Sequence, residues 1–386
     1  MKKSTRSRVD PFLVMDVMEE ATKLERQGRS IIHMEVGQPN SGASIESLNK
    51  LYKQSLVDNL GYSVALGLPD LRQKIADLYK KRYQLLLDPE RIIVTSGSSA
   101  GFILALTALF DPGERILIGE PGYPSYKNII KSLSLVPQLW QTKFEDRFQL
   151  TSEAILASSC SGVLVASPSN PTGVSLSANE LEILISSARK KKMAFVSDEI
   201  YHGLNFNGRD FSALEFCDEV IVVNSFSKYF SLTGWRLGWM VVPKKFTRTI
   251  EKLAQNLFIC ASHPSQLLGL FSLNSPENFE KNVQKYKKNK DALMSQLPSL
   301  GFTDLVEPDG AFYIYANISK FNMDSKVLVR KILLESGVAI TPGNDFDSLR
   351  GHSTVRFSFA CSPSNVSEAI IRLTSWYKNY KSTIGT

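Results

Sequence analysis

Ser225-Phe226-Ser227-Lys228-Tyr229-Phe230-Ser231-Leu232-Thr233-Gly234-Trp235-Arg236-Leu237-Gly238 sets one lysine, flanked by hydroxyls, in an otherwise apolar and aromatic stretch. An arginine follows eight positions later, between two glycines. Just upstream, Glu219-Val220-Ile221-Val222-Val223-Asn224 is a short β-branched run ended by Asn, the pattern of a buried strand. Lys228 is therefore expected just past the carboxyl end of a strand, where open α/β sheets bind their ligands. Desolvation there disfavours the ammonium form, lowers the pKa and exposes a nucleophilic amine. On a solvated loop the same residue would be an ordinary surface lysine. The rest of the chain decides between the two readings.

Outward from that stretch, strand-like and helix-like segments alternate from residue 90, the sign of a mainly parallel sheet between helices. Strands are expected at 91–95, 115–118, 136–140, 162–166, 193–197, 219–224 and 237–242. Helices are expected at 101–110, 125–133, 178–191, 245–271 and 276–296. Nearer the N-terminus, 11–28 and 44–58 have helical apolar spacing and 31–36 is strand-like. Pro69 opens a helix over 70–83, since proline fits a first turn. In the tail, 311–315, 338–340 and 354–360 are strand-like, and 325–336 and 363–380 are helical. The shift in composition near 275 suggests two domains: a large one over 44–275, and a smaller one from 1–43 with 276–386.

The 386 residues are 43% hydrophobic and 22% charged, enough for a full core without disulfides or a structural metal. The net charge of +7 is spread among acids, and the densest basic run, 281–290, reads as the polar face of a helix. No nucleic-acid recognition motif accompanies it. Four distant cysteines without C-x-x-C point to a reducing, cytoplasmic setting, and four histidines lack metal-ligand spacing, so no metal is expected. The basic first nine residues read as a solvated tail, and no apolar run has the length to cross a bilayer.

Polar groups recur at the expected strand ends. Asp198 directly follows an apolar strand, where a lone carboxylate is costly to bury. A cation such as a protonated cofactor ring nitrogen would stabilise it; the alternative is a helix N-cap. Gly97-Ser98-Ser99-Ala100 leaves backbone N–H groups for a phosphate at a helix N-terminus, although small residues also let a helix pack close to a sheet. Arg236 and Ser225 can share that phosphate, and Gly234, Trp235 and Gly238 suggest a partly buried guanidinium. Tyr123, in a Pro-Gly-Tyr-Pro turn, can stack on a planar ring, and Tyr201 can donate to an anionic oxygen; both can equally be packing residues. Asn170 sits in a double-proline loop, as a ligand or as a turn residue. One cofactor reconciles these groups: a planar, phosphorylated aldehyde, pyridoxal phosphate, with Lys228 as its Schiff-base lysine.

Ser-x-Ser-Lys-x-x-x-x-x-Gly-Trp-Arg-Leu-Gly at 225–238, Ser-Asp-Glu-Ile-Tyr at 197–201 and Pro-Ser-Asn-Pro-Thr-Gly at 168–173 resemble the signatures of the class I aminotransferases of fold type I, related to aspartate aminotransferase. The resemblance spans nearly the whole chain. It implies an α/β fold: a large domain with a mainly parallel seven-stranded sheet between helices, plus a smaller α+β domain. It also implies that Lys228 forms the internal aldimine and moves the proton between substrate and cofactor. Asp198 would keep the pyridine nitrogen protonated, Tyr201 and Asn170 would contact the ring oxygen, and Tyr123 would stack on the ring. Ser98, Ser99, Ser225 and Arg236 would bind the phosphate. Arg356 resembles the arginine that grips the substrate α-carboxylate, and Gly37 the backbone that closes over the substrate, beside Asn170. Tyr62 resembles the tyrosine that reaches the neighbouring subunit's phosphate, which implies a homodimer.

The activity so implied is transfer of an amino group from an L-α-amino acid to a 2-oxo acid, with 2-oxoglutarate as acceptor, by a ping-pong route. Two alternatives remain on the sequence: a C–S β-lyase using the same lysine and aspartate, and a non-catalytic binding module. His202 stands where an acidic or other polar residue is more usual, and no second arginine presents itself for a side-chain carboxylate.

Overall fold

The computed structural model describes residues 1–275 and 277–384. Its strands are β1 (Ile32–His33), β2 (Ile92–Thr95), β3 (Arg115–Glu120), β4 (Val136–Gln141), β5 (Gly162–Ala166), β6 (Ala194–Asp198), β7 (Ile221–Ser225), β8 (Gly238–Val241), β9 (Tyr313–Asn317), β10 (Val338–Ala339), β11 (Thr341–Pro342) and β12 (Thr354–Ser358). Its helices begin with α1 (Leu13–Arg26), α2 (Ile45–Ser55), α3 (Pro69–Tyr83), α4 (Gly97–Leu109), α5 (Pro124–Ser132) and α6 (Ser152–Ala157). They continue with α7 (Ala178–Lys190), α8 (Lys244–Leu257), α9 (His263–Ser272), α10 (Glu277–Gln296), α11 (Ser325–Ser336) and α12 (Pro363–Ile384).

Seven strands form one sheet in the order β2-β8-β7-β6-β5-β3-β4. Only β8 runs against its neighbours, β2 and β7, so β2 itself points the same way as the rest. The carboxyl ends of β2, β5, β6 and β7 therefore share one edge. Register aligns them further: Ala166 pairs with Asp198, and Asp198 with Val223. The central strands β5, β6 and β7 are apolar and buried almost throughout because helices cover both faces, as in parallel sheets generally. A second sheet, β11-β12-β9, is antiparallel and comes entirely from the C-terminal part; β1 pairs in parallel with β10. One apolar cluster runs from the large sheet into these elements, joining Val165 and Phe226 to Phe312 and Phe357.

The expected alternation is present, with local differences that have physical causes. The helix expected from residue 101 begins at Gly97, so the small-residue stretch is its first turn rather than a loop. The helix expected over 245–271 is two helices. Pro264 occupies the first turn of α9, where its ring cannot clash with a preceding helical carbonyl, Ser262 caps that helix, and Ile259 turns left-handed at φ 65°. Of 31–36 only Ile32–His33 is a paired strand; beyond it the carbonyl of Glu35 is taken by the side chains of Arg356 and Thr341. The strand expected at 311–315 starts at Tyr313, because Ala311 is left-handed at φ 55°. The expected helix start at residue 276 lies outside the described residues. Helix α6 and strand β11 had no counterpart in the sequence reading.

Candidate active site

Lys228 lies three residues past the end of β7, beside the ends of β5 and β6. Its Nζ donates to the carbonyl of Gly37 at 2.6 Å, and the residue keeps part of its surface exposed. Burial, then the guanidinium groups of Arg356 and Arg236, lower its pKa to about 8, against the pull of Asp198. That is the desolvated amine expected from the sequence.

Asp198 ends β6 and is 2% exposed. Its carboxyl accepts from the Tyr126 hydroxyl and, at 3.1 Å, from the Ile200 amide. Burial raises its pKa to about 6 despite those donors. Such a carboxyl gains from a buried cation, which a protonated ring nitrogen would supply. Tyr201, three residues on, meets the Tyr313 hydroxyl at 2.8 Å, and burial pushes its pKa well up. Tyr123 is half-buried beside this group, with the ring of Phe12 edge-on at 6.0 Å.

Arg356 comes from the central strand of the second sheet and is 2% exposed. One Nη donates to Asn170 Oδ1 at 2.9 Å; the other donates to the Glu35 carbonyl and to Thr341 Oγ1 at 3.3 Å. Its Nε has no partner among the described residues. The guanidinium lies between the rings of Tyr313 and Phe346, 4.4 and 4.7 Å from their centroids. The Asn170-Pro171 bond is cis, as are Glu120-Pro121 and Ser167-Pro168.

At the other end of the lysine, the first turn of α4 leaves the amides of Gly97, Ser98 and Ser99 without intrahelical acceptors. Gly97 is left-handed at φ 73°, and a Cβ there would lie 2.5 Å from Nη2 of Arg236. The guanidinium and the helix N-terminus thus form one anion cradle, of a kind that suits a phosphate. Two details differ from expectation. Arg236 is exposed rather than partly buried, and it is left-handed at φ 52° with one Nη on the Thr233 carbonyl at 3.0 Å. Ser225 is 2% exposed, and its hydroxyl serves the backbone, accepting from the Ser227 amide at 3.0 Å and reaching the Leu237 carbonyl at 3.4 Å.

The structure thus brings together Lys228, Asp198, Asn170, Tyr201, Gly37 and Arg356, with Tyr123 beside them and Ser98, Ser99 and Arg236 at the cradle. Tyr62 lies apart on the surface, 83% exposed. His202 is buried, with Nε2 donating to the Ser167 carbonyl at 3.0 Å and Nδ1 meeting the Tyr83 hydroxyl at 2.7 Å. Three residues escaped the sequence reading: Tyr126, Tyr313 and Phe346. Tyr126 could have been found as the helical i+3 neighbour of Tyr123; the other two carry no local signal.

An anion cradle, a buried carboxyl and a desolvated lysine gathered at the strand ends suit a pyridoxal-phosphate-dependent enzyme. A family model described as aminotransferase class I and II matches residues 29–373. The valine–pyruvate aminotransferase of Mycobacterium tuberculosis is 39% identical, over 96% of this chain and 97% of that protein. An aspartate aminotransferase of Sulfurisphaera tokodaii is 31% identical, over 94% of this chain and 93% of that protein. Among solved structures, an aminotransferase from Mycobacterium tuberculosis superposes with a TM-score of 0.95 at 37% identity, covering 98% of this chain and all (100%) of that one. The Thermus thermophilus aspartate aminotransferase with maleate does so at 0.90 and 28%, covering 97% and 99%. The chain belongs to the class I and II aminotransferases and is a pyridoxal-phosphate-dependent transaminase. Among the described residues, no helix is long and apolar enough to cross a membrane.

Proposed function

We propose that the enzyme passes the amino group of a neutral L-α-amino acid to a 2-oxo acid in two alternating half-reactions, with 2-oxoglutarate as an acceptor. The observation that carries this reading is the pairing of Arg356 with Lys228 across one cleft. A guanidinium with a free Nε, held between two aromatic rings, suits a planar carboxylate. Asn170 fixes it from the side.

When bound, the cofactor supplies an electron sink for the carbanion left at the substrate α-carbon. The residues around it do the rest. Asp198 would hold a proton on the ring nitrogen. Arg356 would turn the substrate so that its α-hydrogen faces Lys228, whose amine would take and hand on that proton. The lowered pKa keeps a useful fraction of that amine unprotonated near neutrality. Residues 1–43 and 276–386 close over the substrate as one unit and exclude water.

Neutral donors are favoured because the two guanidinium groups whose charge reaches Lys228, Arg356 and Arg236, are assigned to the substrate α-carboxylate and to the phosphate. The valine–pyruvate relative makes branched aliphatic donors, with pyruvate as a rival acceptor, the first to try. We also propose a cytoplasmic homodimer. Tyr62 is exposed, as are Ile45, Tyr52, Leu56 and Val57 nearby in sequence, and a second copy would cover them.

The test is the absorbance of the holoenzyme before and after single amino acids without any oxo acid. Conversion of the cofactor to its amine form by neutral donors, reversed by an oxo acid, is the expected result. An unchanged chromophore with ammonia and pyruvate accumulating from a cysteine-type substrate would establish the lyase instead. For the dimer, mixing inactive Lys228→Ala and weakened Tyr62→Phe chains should restore one native site per mixed pair; a monomer in solution would refute it.

A further inference from the structure

Tyr313 is in contact with three separate parts of the candidate site. It opens β9 and is 1% exposed. Its hydroxyl meets that of Tyr201 at 2.8 Å, and the two rings are edge to face at 5.7 Å. The guanidinium of Arg356 lies over its ring at 4.4 Å. The hydroxyl also fills the space in front of Gly37, where a Cβ would come within 1.9 Å of it. Register holds this arrangement in place, because Tyr313 pairs with Ser358, two residues along β12 from Arg356.

We propose that Tyr313 is a positioning residue that supports the Tyr201 hydroxyl from behind and seats Arg356 from the side, so that ring contact and carboxylate contact are set by one side chain. The inference rests on the reading that Tyr201 donates to the cofactor's ring oxygen. Tyr201 would donate its O–H to an anionic ring oxygen, a stronger acceptor than a neutral hydroxyl. Tyr201 is then an acceptor towards Tyr313, whose own proton strengthens the first bond by polarising it. The phenyl ring serves Arg356 separately, through the face of its π system. The hydroxyl and the ring thus have different jobs, and substitution can separate them.

Tyr313→Phe removes the hydroxyl and keeps the ring. The expected result is an upward shift in the pH midpoint of the holoenzyme's absorbance band, as the ring oxygen loses part of its support. kcat should fall by about two- to tenfold, the worth of one neutral hydrogen bond, while the KM of the amino donor stays within about twofold of wild type. Tyr313→Leu removes the ring as well, and the donor KM should then rise too. A purely structural Tyr313 would lower thermal stability and leave the absorbance midpoint where it was.

Tyr201→Phe is the control that separates the inference from its premise. An upward shift in Tyr201→Phe with none in Tyr313→Phe overturns the positioning role and leaves the reading of Tyr201 intact. No shift in either removes both. A downward shift in Tyr313→Phe also overturns the proposal, because it would mean that Tyr313 competes for the Tyr201 proton.

Discussion

Substituting Gly97→Ala should weaken cofactor binding by moving Arg236, and the structure gives the size of the effect in two parts. The first is backbone strain. Gly97 has φ 73°, and an L residue in that region costs about 1–2 kcal/mol. This part lowers fold stability. The second is steric. The new Cβ would lie 2.5 Å from Nη2 and 3.1 Å from Cζ of Arg236. Arg236 is exposed and its tip is flexible, so the guanidinium swings away and the helix stays. A hydrogen bond between charged groups contributes about 1.5–3 kcal/mol, so its loss weakens affinity by roughly tenfold to a hundredfold. The assay is titration of the stripped enzyme with pyridoxal phosphate, followed by absorbance. Arg236→Ala provides the second axis of a double-mutant cycle. With the guanidinium gone, Gly97→Ala should cost stability but little further affinity. An unchanged dissociation constant in Gly97→Ala, or an equal loss in both backgrounds, would refute the cradle as described.

Three further outcomes follow from the same geometry. Gly238→Ala would set a Cβ 2.8 Å from the Asn224 carbonyl and 2.9 Å from Gly97 C and Ser98 N, all backbone. Overpacking of that kind costs about 1–3 kcal/mol, so the denaturant midpoint should drop, and an unchanged midpoint would show that α4 can retreat freely. In the cofactor-free enzyme, trapping of Lys228 by a phosphate-free aldehyde and a hydride reductant should be half-maximal near pH 8; a midpoint near the unperturbed 10.5 would contradict the burial. The linkage sign follows from the same values: between them the folded chain binds fewer protons than the unfolded one. The lysine's destabilising contribution is therefore full below about pH 8, fades as the pH rises from there to 10.5, and is gone above it. Arg356→Lys keeps the charge and loses the planar fork, so the donor KM should rise about tenfold or more, and a rise under twofold would remove the carboxylate from Arg356.

What the sequence made legible was whatever a short stretch encodes by itself. An apolar run ending in a polar group marks a strand end. Asp198, Asn170 and Lys228 were all placed by that signal, because parallel strands in register bring their carboxyl ends to one edge. Contacts made by distant strands left no such trace. Tyr313 sits in a run that reads as core, and its meeting with Tyr201 exists only because the second sheet packs against the first. The reading of Arg236 failed for a different reason. Its neighbouring glycines were taken as signs of a buried guanidinium. Gly234 is exposed, with open space where a Cβ would be, whereas Gly238 is pressed against the backbone of Gly97 and Ser98. That glycine is needed for the approach of helix α4 to strand β8. Close packing of backbone at one end of the loop and exposure of the arginine two residues earlier are therefore compatible. Together they place the guanidinium at the exposed rim of the cradle, beside Gly97 at the start of α4.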